Sequence, residues 1–231
     1  MALRSPLLHV FKVLTLLNQF YSLRDLEALL GVPFQSLWRY LNLVSIPRRS
    51  TVDKILRRAE ELKLVDKLVD EVVNRVGDVS ALSGDPRFLR LFSAIVSREI
   101  TKRIDIVVPL SLEAIPLATV LALETGSTIC YLYSHEARSS LSEHYIVAHY
   151  VSRSRELKFI AIPKSCLRPR SRVALVDTVL DDQNKVSTVI DLLRKRMCVP
   201  TLLIAIASEE DPQSIAQKHG VSVKVLRSCR A

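Results

Sequence analysis

Along the first 75 residues the apolar positions fall at helical spacing. Leu7, Val10, Phe11, Leu14 and Leu17 form one face of a helix over about 6–19. Ser22 is a good N-cap for a second helix, LRDLEALL, and Gly31 a good residue to close it. Pro33 fits the first turn of a third, FQSLWRYLNL, which the Ile46–Pro47 step ends. Ser50 with Asp53 then opens one long helix over 51–75. From about residue 85 the pattern changes. After a helix at 86–100, apolar runs at 104–110, 127–133, 145–151, 157–162, 172–177, 201–207 and 221–226 predict strands. Amphipathic stretches at 113–125, 183–196 and 212–218 lie between them. Apolar strands alternating with helices predict an α/β fold with a largely parallel sheet. The stretch VGDVSALSGDP, near 76–84, separates an all-α domain (1–76) from an α/β domain (85–231).

Charge adds a partner to this picture. The formal net charge is +9. Residues 1–65 carry ten Lys/Arg against five acids, so over half the excess lies in under a third of the chain. That balance favours an anionic partner, nucleic acid or an anionic membrane surface, over the plain alternative of general solubility. No stretch is long enough to span a membrane. The run LLHVFKVLTLL contains His9 and Lys12 and lacks a small-residue cleavage site, so it reads as an amphipathic helix rather than a signal peptide. Cys130, Cys166, Cys198 and Cys229 form no CxxC pair. We expect no zinc site and a reduced, cytoplasmic protein, with a Cys130–Cys166 or Cys166–Cys198 disulfide left open. Five glycines and few amides point to a thermophile.

Segment 23–42, LRDLEALLGVPFQSLWRYLN, resembles the helix-turn-helix of bacterial and archaeal transcription regulators. Leu26 and Leu30 supply the buried face of the first helix, Gly31 the turn, Val32 and Leu37 the junction, and Tyr40 and Leu41 the buried side of the second. Glu27 departs from the small residue usual at its position. Gln35, Ser36, Arg39 and Asn42 are left on the outer face, with Trp38 beside them. Gln or Asn pairs bidentately with adenine and Arg with guanine, so these residues are expected to read base edges in double-stranded DNA. Arg48, Arg49, Ser50 and Thr51 precede the next helix and are expected to hold phosphates. The competing reading is an ordinary helical packing or dimerisation domain, and for Trp38 packing competes directly with DNA contact.

In the second half, IPKSCLRPRSRVALVD followed by TVLDDQNKV resembles the signature segment of the type I phosphoribosyltransferases, especially those of purine salvage. VVPLSLEAIPLA (107–118) is similar to the family's pyrophosphate loop. The resemblance spans roughly 85–231. It implies a signature strand that ends in two acids for the ribose hydroxyls, then a glycine-containing loop wrapped around a phosphate. Here Asp177 keeps the first acid and Thr178 replaces the second, while Asp181, Asp182, Gln183, Asn184 and Lys185 fill the phosphate-loop positions. Glu113 and Ala114 stand where the family has paired glycines, and the stretch corresponding to the catalytic loop, 133–145, holds Arg138 as its one cation. A carboxylate about 5 Å from a phosphate charge costs on the order of 3 kcal/mol at an effective dielectric of about 20.

From this the fold class is α/β: an N-terminal all-α helix-turn-helix domain followed by a parallel-sheet phosphoribosyltransferase-like domain. The functional expectation is a DNA-binding transcription regulator of archaeal type. Its α/β domain is expected to be catalytically inactive, to hold no cofactor or metal, and to form a homodimer. Asp177, Thr178, Asp181, Asp182 and Lys185 are the residues for a small ligand, a nucleotide or phosphoribosyl pyrophosphate effector among them. The alternative is an active purine phosphoribosyltransferase with an accessory basic domain.

Overall fold

The computed structural model describes residues 6–76, 78–100, 103–133 and 143–228. The chain divides into two compact units. One runs to Arg75 and takes in Pro86–Arg98; the other comprises Val76–Asp85 and the chain from Glu99 onward. The sequence reading put 85–231 in one domain, whereas the helix after Pro86 packs with the helical unit. Its buried Phe88, Leu91, Phe92 and Ile95 recur at helical spacing and look the same in sequence whichever unit receives them.

The helical unit contains α1 (Pro6–Leu17), α2 (Leu23–Leu30), α3 (Phe34–Leu41), α4 (Arg49–Glu61), α5 (Leu64–Arg75) and α6 (Pro86–Glu99). α1 packs against α3 and α4, and α2 against α3 and α4. Ser22 caps α2 in a reciprocal box: its hydroxyl accepts from the Asp25 N–H, and the Asp25 carboxylate accepts from the Ser22 N–H at 3.0 Å. The Ser22 hydroxyl also donates to Asp25 Oδ2 at 2.6 Å, and this bond first, then that from the Ser22 N–H, holds the Asp25 carboxyl below its usual range. α2 ends at Gly31, whose φ of 65° is the left-handed conformation that glycine adopts without a Cβ penalty. The expected single helix over 51–75 is two helices. Lys63 stands at φ 49° between α4 and α5. Neither Gly nor Pro marks that break.

The second unit is built on a five-stranded parallel sheet of order β2-β1-β5-β6-β7. The strands are β1 (Ile106–Pro109), β2 (Thr128–Ile129), β5 (Arg172–Leu180), β6 (Val199–Ser208) and β7 (Ser222–Ser228). β3 (Tyr145–Val151) and β4 (Leu157–Pro163) form an antiparallel hairpin outside the sheet. Three helices cover the sheet: α7 (Ile115–Thr125) on β1, β2 and β5, α8 (Gln183–Lys195) on β6, and α9 (Pro212–His219) on β7; α8 also meets β3. Alternation along the strands separates two buried faces. Ile106, Val108, Val173, Leu175 and Leu203 join α8 and the hairpin's Ile160 and Ile162 in one core. Val107, Ala174, Val176 and Ile204 are buried on the opposite face. Burial on both faces explains why these strands read as continuous apolar runs.

Cys130 follows β2 and is joined by a disulfide to Cys166, with Cα atoms 5.7 Å apart. This departs from the expectation of four reduced thiols and selects one of the two pairings left open. Cys198 is buried and free, and burial pushes its thiol pKa up.

Candidate functional site

The sheet order reverses between β1 and β5, because β1 has β2 on one side and β5 on the other. Open parallel sheets bind ligands beyond the carboxyl ends of their strands at such a point. Register places Pro109 beside Val176. Ser111, just past β1, therefore meets Asp177, one residue further along β5. The Ser111 hydroxyl donates to Asp177 Oδ1 at 2.6 Å, and the Thr178 N–H donates to the same oxygen at 2.9 Å. Lys185, from the first turn of α8, lies 3.4 Å from Asp177 Oδ2. The Asp177 side chain is only 4% exposed and Lys185 17%. Burial raises the Asp177 carboxyl pKa, and Lys185, Ser111 and the Thr178 N–H act against that rise.

The paired aspartates that follow do different work. Asp182 is the N-cap of α8: its Oδ1 accepts from the N–H of Asn184 at 2.9 Å and of Lys185 at 3.2 Å. Its Oδ2 accepts from the Arg153 N–H, in the β3–β4 turn, at 3.3 Å. Thus the positive end of the helix faces a carboxylate of the chain itself. Asp181 is exposed. The Asn184 amide donates to the Val151 carbonyl at 2.9 Å, and the Arg153 guanidinium pairs with Glu209, past β6, at 3.0 Å. The hairpin turn is thereby tied to the carboxyl edge at three places. Tyr150, beside this group, has its phenol pKa pushed up to about 12, by burial first and then by Asp182, Asp181 and Asp177.

Asp177 and Lys185 from the expected ligand set are therefore in contact, Thr178 is buried behind them, and Asp182 is turned into the helix cap. The sequence reading treated Asp181 and Asp182 alike, as charges facing a ligand. An N-cap aspartate and a loop aspartate look identical until the helix start is fixed. Ser111, Tyr150 and Arg153 were missed, because their partners lie 27 to 66 residues away and no local pattern announces them. Glu113 is exposed ahead of α7. Arg138 lies outside the described residues.

In the helical unit, Gln35, Trp38 and Arg39 lie together with Phe34 on one side of α3, around a shallow, open depression. Ser36 is half-buried and Asn42 exposed. The Asn42 amide donates to the Trp38 carbonyl at 2.9 Å, so part of its hydrogen-bonding capacity goes to the end of α3. Arg48, Arg49 and Ser50 are exposed and Thr51 half-buried, in the first turn of α4, which has no side-chain cap.

No protein-family model and no curated protein matches this sequence. Solved structures do. Adenine phosphoribosyltransferase from Thermoanaerobacter pseudethanolicus aligns with a TM-score of 0.55 at 13% identity, over 65% of this chain and 86% of that one. The enzyme from Giardia lamblia, complexed with 9-deazaadenine, aligns at 0.54 and 16%, over 67% and 86%. The enzyme from Trypanosoma brucei, in complex with AMP, pyrophosphate and ribose-5-phosphate, aligns at 0.54 and 13%, over 65% and 68%. The fold is phosphoribosyltransferase-like. This corrects the expectation that the chain is no enzyme. The matching structures are enzymes, and replaced loop residues are no ground for excluding turnover in a fold they share. At these identities the likeness establishes the fold, not the activity. No described helix is long and apolar enough to cross a membrane.

Proposed function

We propose that this chain binds duplex DNA through its helical unit and regulates transcription, in the cytoplasm. Its phosphoribosyltransferase-like unit would pair two copies and respond to a nucleotide or phosphoribosyl pyrophosphate. One observation carries the reading. From Ala28 to Val52 the chain has no acid, while Arg39, Arg48 and Arg49 are present and exposed. We read α2, the turn at Gly31–Pro33 and α3 as the helix-turn-helix, and the two short helices on either side of that turn support this. Gln35 and Arg39 are then directed at base edges, and the uncapped start of α4 at phosphate. A two-fold dimer would set two such helices against a palindromic site. The test is titration of fluorescent duplex DNA at several salt concentrations. We expect affinity to fall steeply with salt as counterions are released; affinity that is absent or insensitive to salt overturns the reading.

The second reading is phosphoribosyl transfer, favoured by the buried, hydrogen-bonded Asp177 at the switch point of a fold shared with adenine phosphoribosyltransferases. Pyrophosphate release from phosphoribosyl pyrophosphate with adenine, guanine, hypoxanthine or xanthine tests it. Turnover that Asp177→Asn abolishes would establish it. In either reading, Asp177 and Lys185 are the groups offered to the ribose hydroxyls and the anionic part of the ligand.

A further inference from the structure

Phe34 and Trp38 remain 42% and 51% exposed on α3, which is unusual for two large rings on a short helix. They sit four residues apart, so they stack along one ridge of the helix; Gln35 and Arg39 form the next ridge over. All four border the same open depression. An apolar ridge beside an amide and a guanidinium matches one edge of B-DNA. In the major groove thymine presents an apolar 5-methyl group, its partner adenine a donor and an acceptor for Gln, and a neighbouring guanine two acceptors for Arg. A nucleic-acid occupant is favoured over a protein by charge: the acid-free stretch from Ala28 to Val52 places Arg39 beside the ridge and Arg48 and Arg49 at the start of the following helix.

We infer that the Phe34–Trp38 ridge packs on the 5-methyl group of a thymine in each half-site, with Gln35 and Arg39 reading adenine and guanine beside it. This rests on the DNA-binding reading above and adds a base identity to it. Phe34 and Trp38 then determine specificity, while Arg48 and Arg49 provide affinity.

The test uses the full-length chain. A preferred duplex is selected from a random pool, and each of its thymines is then replaced in turn by uracil, which lacks only the methyl. We expect uracil at one position per half-site to weaken binding about fourfold, the factor that burial of one methyl-sized group supplies, and the other positions to be neutral. In Phe34→Ala and Trp38→Ala proteins, uracil and thymine at that position should bind alike. Because the uracil series leaves the protein unaltered, it stands even if a variant folds poorly. Enrichment of a site at which every uracil is neutral overturns this inference and leaves the DNA-binding reading intact. A pool that binds without preference also overturns this inference alone; a pool from which no duplex is retained at any salt concentration overturns both. Should Trp38→Ala instead dissociate the oligomer in sedimentation without changing DNA affinity, the ridge is a protein interface and the inference fails.

Discussion

Replacing Asp182 by alanine removes the acceptor at the start of α8 and leaves three N–H groups without it: those of Asn184, Lys185 and Arg153. Loss of an aspartate N-cap costs about 0.5–2 kcal/mol. The further acceptance from Arg153 and the charge at the helix's positive end place this case near the top of that range. For a unit of this size, about 2 kcal/mol lowers the melting temperature by roughly 4–8 °C. Asp182→Asn is the informative control, because asparagine caps nearly as well but is uncharged. It should retain most of the stability, losing only the charge–dipole part, about 0.3–1 kcal/mol. The assay is thermal unfolding by circular dichroism, with hydrogen exchange at the three amides. We expect Asp182→Ala to melt several degrees below wild type, Asp182→Asn to lie between, and exchange at Asn184, Lys185 and Arg153 to accelerate in the alanine variant. Equal melting temperatures with unchanged exchange would refute the claim that this carboxylate satisfies the helix start and tethers the hairpin turn.

Three further outcomes follow from the same geometry. Burial raises the Asp177 carboxyl pKa, so as pH rises from the ordinary carboxylate range towards that raised value the unfolded chain loses its proton first and stability falls; Asp177→Asn should flatten this part of a stability–pH curve measured by denaturant titration. Gly31→Ala puts a Cβ on a residue at φ 65°, 3.2 Å from the Lys54 ammonium at the end of a flexible side chain, and should cost about 1–2 kcal/mol of helical-unit stability in the same assay. In DNA titrations Arg48→Ala and Arg49→Ala should each reduce the slope of log affinity against log salt by about 0.9, whereas Gln35→Ala should weaken binding without changing the slope.

Patterns that repeat within a few residues were legible in the sequence. The Ser22 and Gly31 caps bounded α2, and the runs at 172–177 and 201–207 marked the central strands. Relations made by topology were not legible. The hairpin's antiparallel pairing was hidden because a strand's apolar run does not reveal its direction. Ser111 reaches Asp177 only because β1 and β5 are neighbours in the sheet. The break at Lys63 was invisible because the residues around it are sound helix formers. The Asp177 position was legible by resemblance, yet its pairing with Lys185 required knowing where α8 begins.

The Cys130–Cys166 bond closes a covalent ring that contains the whole β3–β4 hairpin, including Tyr150, Val151 and Arg153. A cross-link over a sequence separation of 36 residues removes unfolded-chain entropy worth about 4 kcal/mol on the loop-closure account. The same hairpin holds Asn184 and Asp182 through its turn. The oxidation state of one sulfur pair thus bears on how firmly the turn is held against the start of α8. Stability and ligand measurements on this chain will depend on the reductant in the buffer.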